Sequence, residues 1–387
     1  MNSQVDHDQD GNLLLDYGKR MPPGSFIHWH SPIDAPLPGL PKSLRADMLN
    51  LLHSTYRPTA DWPFRENPDA DSPANVETLT WAIWALKALG EDEWVTQLRQ
   101  NQTLLDRIDT FYDQDRGFYC QTNSQRREDI GTTWRLHNDD VVRAGLRMLG
   151  VEARPFAKGL DKITRFPWAP QPGEPLEDWL ENCWAACGAK EIVQYAQLLQ
   201  RLTGQSLSEP IHQLIRFVLA RRDTQTGYVG MLGERNLALD MCKHRNNIAH
   251  LLFKPLGLRE PEPWQLRVME TTFSLQNEDG LFGEGGMCFN LDAMELLVEY
   301  GIQTGRHHKR VVQTCRRAIR GMLNCLWVPG GGICLEREPV PANADTKGYG
   351  EARVVNGTAF FLETIRIWQA LDPLARENMD AALGQRP

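Results

Sequence analysis

A turn recurs along this chain at an almost fixed interval, and a repeat of that length admits few folds. Three segments carry it: Asp113-Gln-Asp-Arg-Gly117-Phe-Tyr119, Asp223-Thr-Gln-Thr-Gly227-Tyr-Val229 and Gln276-Asn-Glu-Asp-Gly280-Leu-Phe282. Each sets polar residues before a glycine and an aromatic or apolar residue two positions after it. Glycine suits a turn position of positive φ, where a Cβ would clash. Gly173 and Gly332 extend the series, so that successive glycines stand 56, 54, 53 and 52 residues apart.

Between the turns the pattern is helical. Asn75–Gly90, Asn138–Gly150, Ala189–Gly204, Asn246–Gly257 and Asn290–Gly301 each close on a glycine, the expected helix stop, and Asn356–Leu371 makes a sixth. Apolar residues cover more than one face of these segments, as in helices buried on several sides. Ser43–Tyr56, Glu93–Tyr112, Leu207–Arg221, Pro263–Leu275 and Lys309–Leu326 are more amphipathic and belong on an outer ring. The expectation is an all-α chain: an (α/α)6 toroid of six inner and six outer helices over residues 43–387, preceded by an extended arm over 1–42. Ser43–Tyr56 should seal the ring against Asn356–Leu371. An open helical solenoid is the alternative, because a repeat does not by itself close.

A net charge of −8 argues against chain-wide attraction to nucleic acid or to an anionic membrane. The basic run from His307 to Arg320 has helical spacing and reads as a solvated outer face. No apolar stretch is long enough to span a bilayer, and MNSQVDHDQDG is no secretory signal. Eight cysteines scattered through so long a chain fit reduced thiols, so a cytoplasmic protein is expected. No phosphate-cradling loop, dinucleotide fingerprint, His-Glu-x-x-His or Gly-x-Ser-x-Gly is present, which leaves kinase, hydride-transfer and zinc-peptidase readings without support.

A Gln, three residues, a Gly, one residue and an aromatic, set between an outer and an inner helix, resembles the repeat of squalene–hopene cyclases and protein prenyltransferase β subunits. Gln276, Gly280 and Phe282 carry the match, and Asp113, Gly117 and Tyr119 a looser one. The resemblance spans about residues 60–375 as architecture and implies a repeat that fastens helix ends without doing chemistry. Class II terpene cyclases protonate an alkene with the central acid of Asp-x-Asp-Asp. Here His137-Asn138-Asp139-Asp140 stands in its place, with His for the leading Asp, in a chain long enough for one helical barrel where those cyclases usually use two. Prenyltransferase β subunits bind zinc through an Asp-x-Cys pair and a distant His. Asp240-Met241-Cys242 offers the pair, but no His lies near the start of the sixth inner helix, so neither metal nor cofactor is expected.

In a closed ring the inner helices would begin around one mouth, and five of them carry polar clusters there: Asn75/Glu77, His137 to Asp140, His244 to Asn247, Asn290/Asp292 and Arg353/Asn356. Helix capping accounts for one residue in each. The surplus supplies candidate catalytic acids Asp139, Asp140 and Asp292, with Asp292 the second carboxylate across the ring. Adjacent residues on a helix point about 100° apart, so Asp139 and Asp140 cannot both face one partner. His137, Asn138, His244, Asn246, Arg353, Asn356 and Trp81 are the candidate substrate contacts. Trp84, Trp134, Trp179 and Trp184 fill core or line a pocket, and His28-Trp29-His30 would be a lid. These residues suit a small-molecule substrate, an isoprenoid or a sugar. Three readings follow: an isoprenoid cyclase or isomerase, a glycan-active hydrolase, lyase or epimerase, and a non-catalytic binding scaffold.

Overall fold

A computed structural model describes residues 35–113, 132–154, 219–229, 236–248, 260–337 and 352–384, apart from single positions within those spans. It also describes Phe118–Tyr119 and a small strand pair, β1 (Asp6–His7) with β2 (Leu13–Leu14). Gly173, Ala189–Gly204, most of Leu207–Arg221 and His28-Trp29-His30 lie outside the described residues.

The described chain is helical. Its inner members are α2 (Val76–Leu89), α5 (Thr132–Leu149), α6 (Leu237–His244), α8 (Met287–Thr304) and α10 (Val354–Leu371). Its outer members are α1 (Lys42–Thr55), the broken pair α3 (Asp92–Gln100) and α4 (Gln102–Asp109), α7 (Glu262–Ser274) and α9 (His308–Cys325). The short helices α11 (Pro373–Glu377) and α12 (Met379–Leu383) finish it.

Local chemistry sets the ends. Asn75 accepts the Thr78 N–H at 2.8 Å, and Gly90 stops α2 at φ +79. Between those caps nearly every side chain is buried, as an inner helix requires. In α9, by contrast, Val311, Cys315, Ala318, Ile319 and Met322 make one buried stripe, and the basic residues His308, Lys309, Arg310, Arg317 and Arg320 face solvent.

Three boundaries differ from expectation. The segment read as one outer helix over Glu93–Tyr112 breaks at Asn101, whose side chain accepts the Leu104 N–H and restarts the helix. Gly301 lies inside α8, which runs on to a left-handed Gly305. The fourth inner helix begins at Leu237, capped by Asn236, so the Asp240–Cys242 pair belongs to that helix itself.

The ring closes across its termini. Helix α2 packs on α5, α6 on α8, α8 on α10, and α10 back on α2, with α1 touching α10 from outside. Backbone bonds rivet this seam: the N–H groups of Val354 and Val355 both donate to Glu66 O, at 2.9 and 3.0 Å. Asn67 Nδ2 donates to Ala352 O, Gln369 Nε2 to Pro38 O, and Met379 N to Gly39 O. An open superhelix would leave these groups bare.

The recurring turn is a tight hairpin. Its flanks pair as Tyr56 with Phe64, β3 (Tyr112–Asp113) with β4 (Phe118–Tyr119), Arg222 with Val229, Gln276 with Phe282, and β5 (Trp327–Val328) with β6 (Gly332–Ile333). The glycine two places before the last paired residue is left-handed at Gly227, Gly280 and Gly331, with φ of +78, +91 and +98. The fifth turn glycine is therefore Gly331, one place before Gly332. Gln276 binds Gly280 O and Thr314 O, both at 2.9 Å, fastening its hairpin to α9. Arg222 takes the same position in the preceding turn and donates to Gly227 O.

Candidate functional site

Four of the five hairpins place a buried N–H on the returning strand against an acceptor from an inner helix. Tyr119 N donates to Asp139 Oδ1 at 2.8 Å, Val229 N to His244 Nδ1 at 3.2 Å, Phe282 N to Asn290 Oδ1 at 3.1 Å and Ile333 N to Thr358 Oγ1 at 3.1 Å. One side chain per repeat does the same work with four different chemistries. Asp139 is fully buried, and its other oxygen accepts from Arg143 Nε at 2.7 Å. One oxygen thus holds α5 to its hairpin, and the other pairs one turn along the same helix. That placement gives Asp139 a structural task beside the catalytic one expected of it. The side chains of Asp140, His137, Asn138 and Trp134 lie outside the described residues.

His244 is likewise interior. Its Nε2 meets Tyr300 Oη at 3.1 Å and Glu260 at 3.3 Å, and Arg222 and Tyr300 both bond to Glu260. Burial lowers the His244 pKa, and a ring whose Nδ1 accepts a backbone N–H is neutral. Burial alone would raise Glu260, but His244 and Arg222 beside it bring the carboxyl down to about 2. The guanidinium is the cation that matters, since the imidazole is neutral. This quartet is closed, and His244 stands in it rather than at a substrate.

A second polar group lies between the end of α6 and the first half of α8, beside the start of α10. Cys288, Asp292, Glu295 and Glu299 fall at helical spacing on one stripe of α8. Arg245 of α6 approaches Asp292 at 3.3 Å and also binds Glu295, and the Cys242 thiol bonds to Asp292. Burial raises the Asp292 carboxyl from 3.8 to about 6, against the pull of Arg245 and the Cys242 bond. Cys288 is exposed, yet surrounding protein pushes its thiol up to about 12. Arg353, the residue before α10, acts on Cys288, is paired with Glu336, and acts on Glu66 and Glu77. A polar wall thus runs from Asp292 to the ring seam.

Glu66 stands at that seam, half-buried, with its pKa raised by burial, opposed by Arg353, and raised further by Glu77. Asn356, in the first turn of α10, is 2% exposed, and its Oδ1 has no hydrogen-bond partner. One turn on, Phe360 meets Trp81 edge-on at 4.8 Å. Trp81 is 4% exposed and its indole N–H donates to Glu77, so it is packing rather than the stacking surface expected of it. Asn246 accepts from Arg245 at 2.8 Å, on the Asp292 side. Of the expected residues, then, the structure gathers Asp292, Arg353, Asn356 and Asn246 around one wall. No described contact joins Asp139 to Asp292.

Sequence reading missed Glu66, Glu336, Cys242 and Cys288 as members of this wall. Glu66 follows the Asp61-Trp-Pro-Phe64 turn, and its position in the first repeat was the only available signal. Among the described residues no group of three His, Cys, Asp or Glu side chains could hold a metal ion, and no helix is long and apolar enough to cross a membrane.

Comparison with protein-family models found no match, and comparison with curated proteins found none. Among solved structures, a glycosyl hydrolase of family 88 from Bacteroides vulgatus is 11% identical, with a TM-score of 0.42, covering 84% of this chain and 99% of that one. A polysaccharide lyase is 11% identical at a TM-score of 0.41, covering 78% and 91%. A family 105 glycoside hydrolase from C. acetobutylicum ATCC 824 is 15% identical at 0.40, covering 77% and 94%.

Proposed function

We propose that the chain is a glycan-active enzyme, a hydrolase, lyase or epimerase, with Asp292 as its acid or base. The observation that carries this reading is the buried Asp292 carboxyl, met by Arg245 at 3.3 Å and by the Cys242 thiol, and pushed up to about 6 by burial. A group that titrates near neutrality both gives and takes protons at working pH. Arg245 beside it, and Arg353, Glu336, Glu66 and Asn356 at the start of the neighbouring α10, match the hydroxyls of a sugar. A hydrocarbon in the same place would strip water from these groups and return no hydrogen bonds. The isoprenoid reading also needs a proton from the Asp139–Asp140 pair, and Asp139 is committed to Tyr119 and Arg143.

The test is incubation of the full chain with neutral, amino and uronate-containing oligosaccharides. New reducing ends, a new ultraviolet-absorbing double bond or an inverted stereocentre would be read in parallel. Turnover of one class, lost in Asp292→Asn, is the expected result. Turnover that survives Asp292→Asn, or a wild-type chain inert towards every class, removes the reading.

A further inference from the structure

The wall beside the ring seam is rich in acceptors and poor in donors. Glu66 Oε1 accepts from Asn75 Nδ2 and Thr78 Oγ1 only at 3.4 Å, the long limit of such bonds, and among the described residues no donor reaches Oε2. Asn356 Oδ1 accepts none either, although its side chain is almost wholly buried. Asp292 has a weak thiol donor and a guanidinium that it shares with Glu295. Arg353, the cation nearest Glu66, is itself bonded to Glu336 through Nε and Nη2.

These acceptors belong to one place. The Glu66 carbonyl takes the first two N–H groups of α10, Asn356 is the third residue of that helix, and α8 with Asp292 packs along it. A buried acceptor without a donor costs about 1–3 kcal/mol, so a ligand that supplies donors gains where water is excluded. An acidic sugar would bring more acceptors to the same wall. A neutral sugar would satisfy hydrogen bonds but leave the Glu66 charge to Arg353 alone, which Glu336 also engages.

Building on the glycan reading, we propose that this wall selects an amine-bearing sugar, its ammonium seated against Glu66 and a neighbouring hydroxyl donating to Asn356 Oδ1, with Asp292 on the adjacent helix. Glucosamine-type oligosaccharides supply that combination. The seam itself is held by the Glu66 backbone, so Glu66→Gln removes the charge and keeps the closure.

Titration calorimetry on the full chain at neutral pH tests this with three probes: a glucosamine oligosaccharide, its N-acetylated form and a uronate oligosaccharide. The amine form should bind tightest, and N-acetylation or Glu66→Gln should each weaken it about tenfold or more, as for a lost charge-assisted bond. Equal or tighter binding of the acetylated or uronate probe overturns this inference and leaves the glycan reading standing. Amine binding that Glu66→Gln leaves intact, with the variant's melting unchanged, also overturns it. Failure of all three probes, together with absence of turnover on any sugar, removes both.

Discussion

Helices α6 and α8 each contribute to two buried polar groups that behave in opposite ways. At one, His244 and Tyr300 close with Glu260 and Arg222 into a quartet in which the acid is held down at about 2. At the other, Cys242, Arg245 and Asp292 leave an acid raised to about 6. Residues 244 and 245 are neighbours in sequence, yet one belongs to each group. Burial is common to both, so the degree of pairing makes the difference. A buried carboxylate matched by a guanidinium and a hydroxyl is a strut; one left short of partners is poised for proton transfer or for a ligand.

The comparison breaks most visibly at Asp292. Asp292→Asn is expected to lower turnover by about 10²–10⁴-fold, the usual worth of a general acid or base, in the assay that first detects a sugar product. The same substitution should stabilise the fold. With its pKa raised from 3.8 to about 6, Asp292 binds a proton more firmly folded than unfolded, so stability falls as pH rises through that window. Above about pH 6 the variant should gain ~1–3 kcal/mol in denaturant unfolding, and below pH 3.8 nothing.

Glu260→Gln should do the reverse. It leaves Arg222 buried without its carboxylate and should cost about 3–5 kcal/mol in urea unfolding, while turnover per folded molecule is unchanged. A fall in turnover beyond the loss of folded protein would erase the distinction between strut and site.

The pH dependence of the wild type sharpens the same contrast. Glu260 is depressed from 4.5 to about 2, so its stabilisation is complete above pH 4.5 and disappears as pH falls through about 2. Circular dichroism melts across that window should show a steady decline that Glu260→Gln no longer shows.

The smallest effects belong to the hairpin fasteners. Asn290→Ala strands the Phe282 N–H and should cost about 1–3 kcal/mol with turnover intact. Asp139→Asn, which keeps an acceptor for Tyr119 N, should likewise leave turnover intact, measured beside its melting temperature. Abolished chemistry at an unchanged melting temperature would return Asp139 to the catalytic group.

The amino-acid sequence by itself determined the repeat, the alternation of buried and amphipathic helices and several of their ends. Those features are local: Asn75, Gly90 and Gly280 act on backbone within a few residues, and helical periodicity reads burial directly. It also brought Asp292, Arg353 and Asn356 forward, because surplus polar residues at helix starts exceed what capping uses. It could not foresee the partners of Asp139, His244 and Trp81, since a polar or aromatic residue on an inner helix looks the same whether it holds a hairpin, packs a core or faces a ligand. Only the tertiary structure decided which of these it was. Glu66 meets α10 because the ring closes between its first and last repeats, and Asp292 is raised because packed helices bury it more than the thiol and the shared guanidinium from α6 can offset. The state of a buried acid is a sum over neighbours from distant segments, and no spacing along the chain contains that sum.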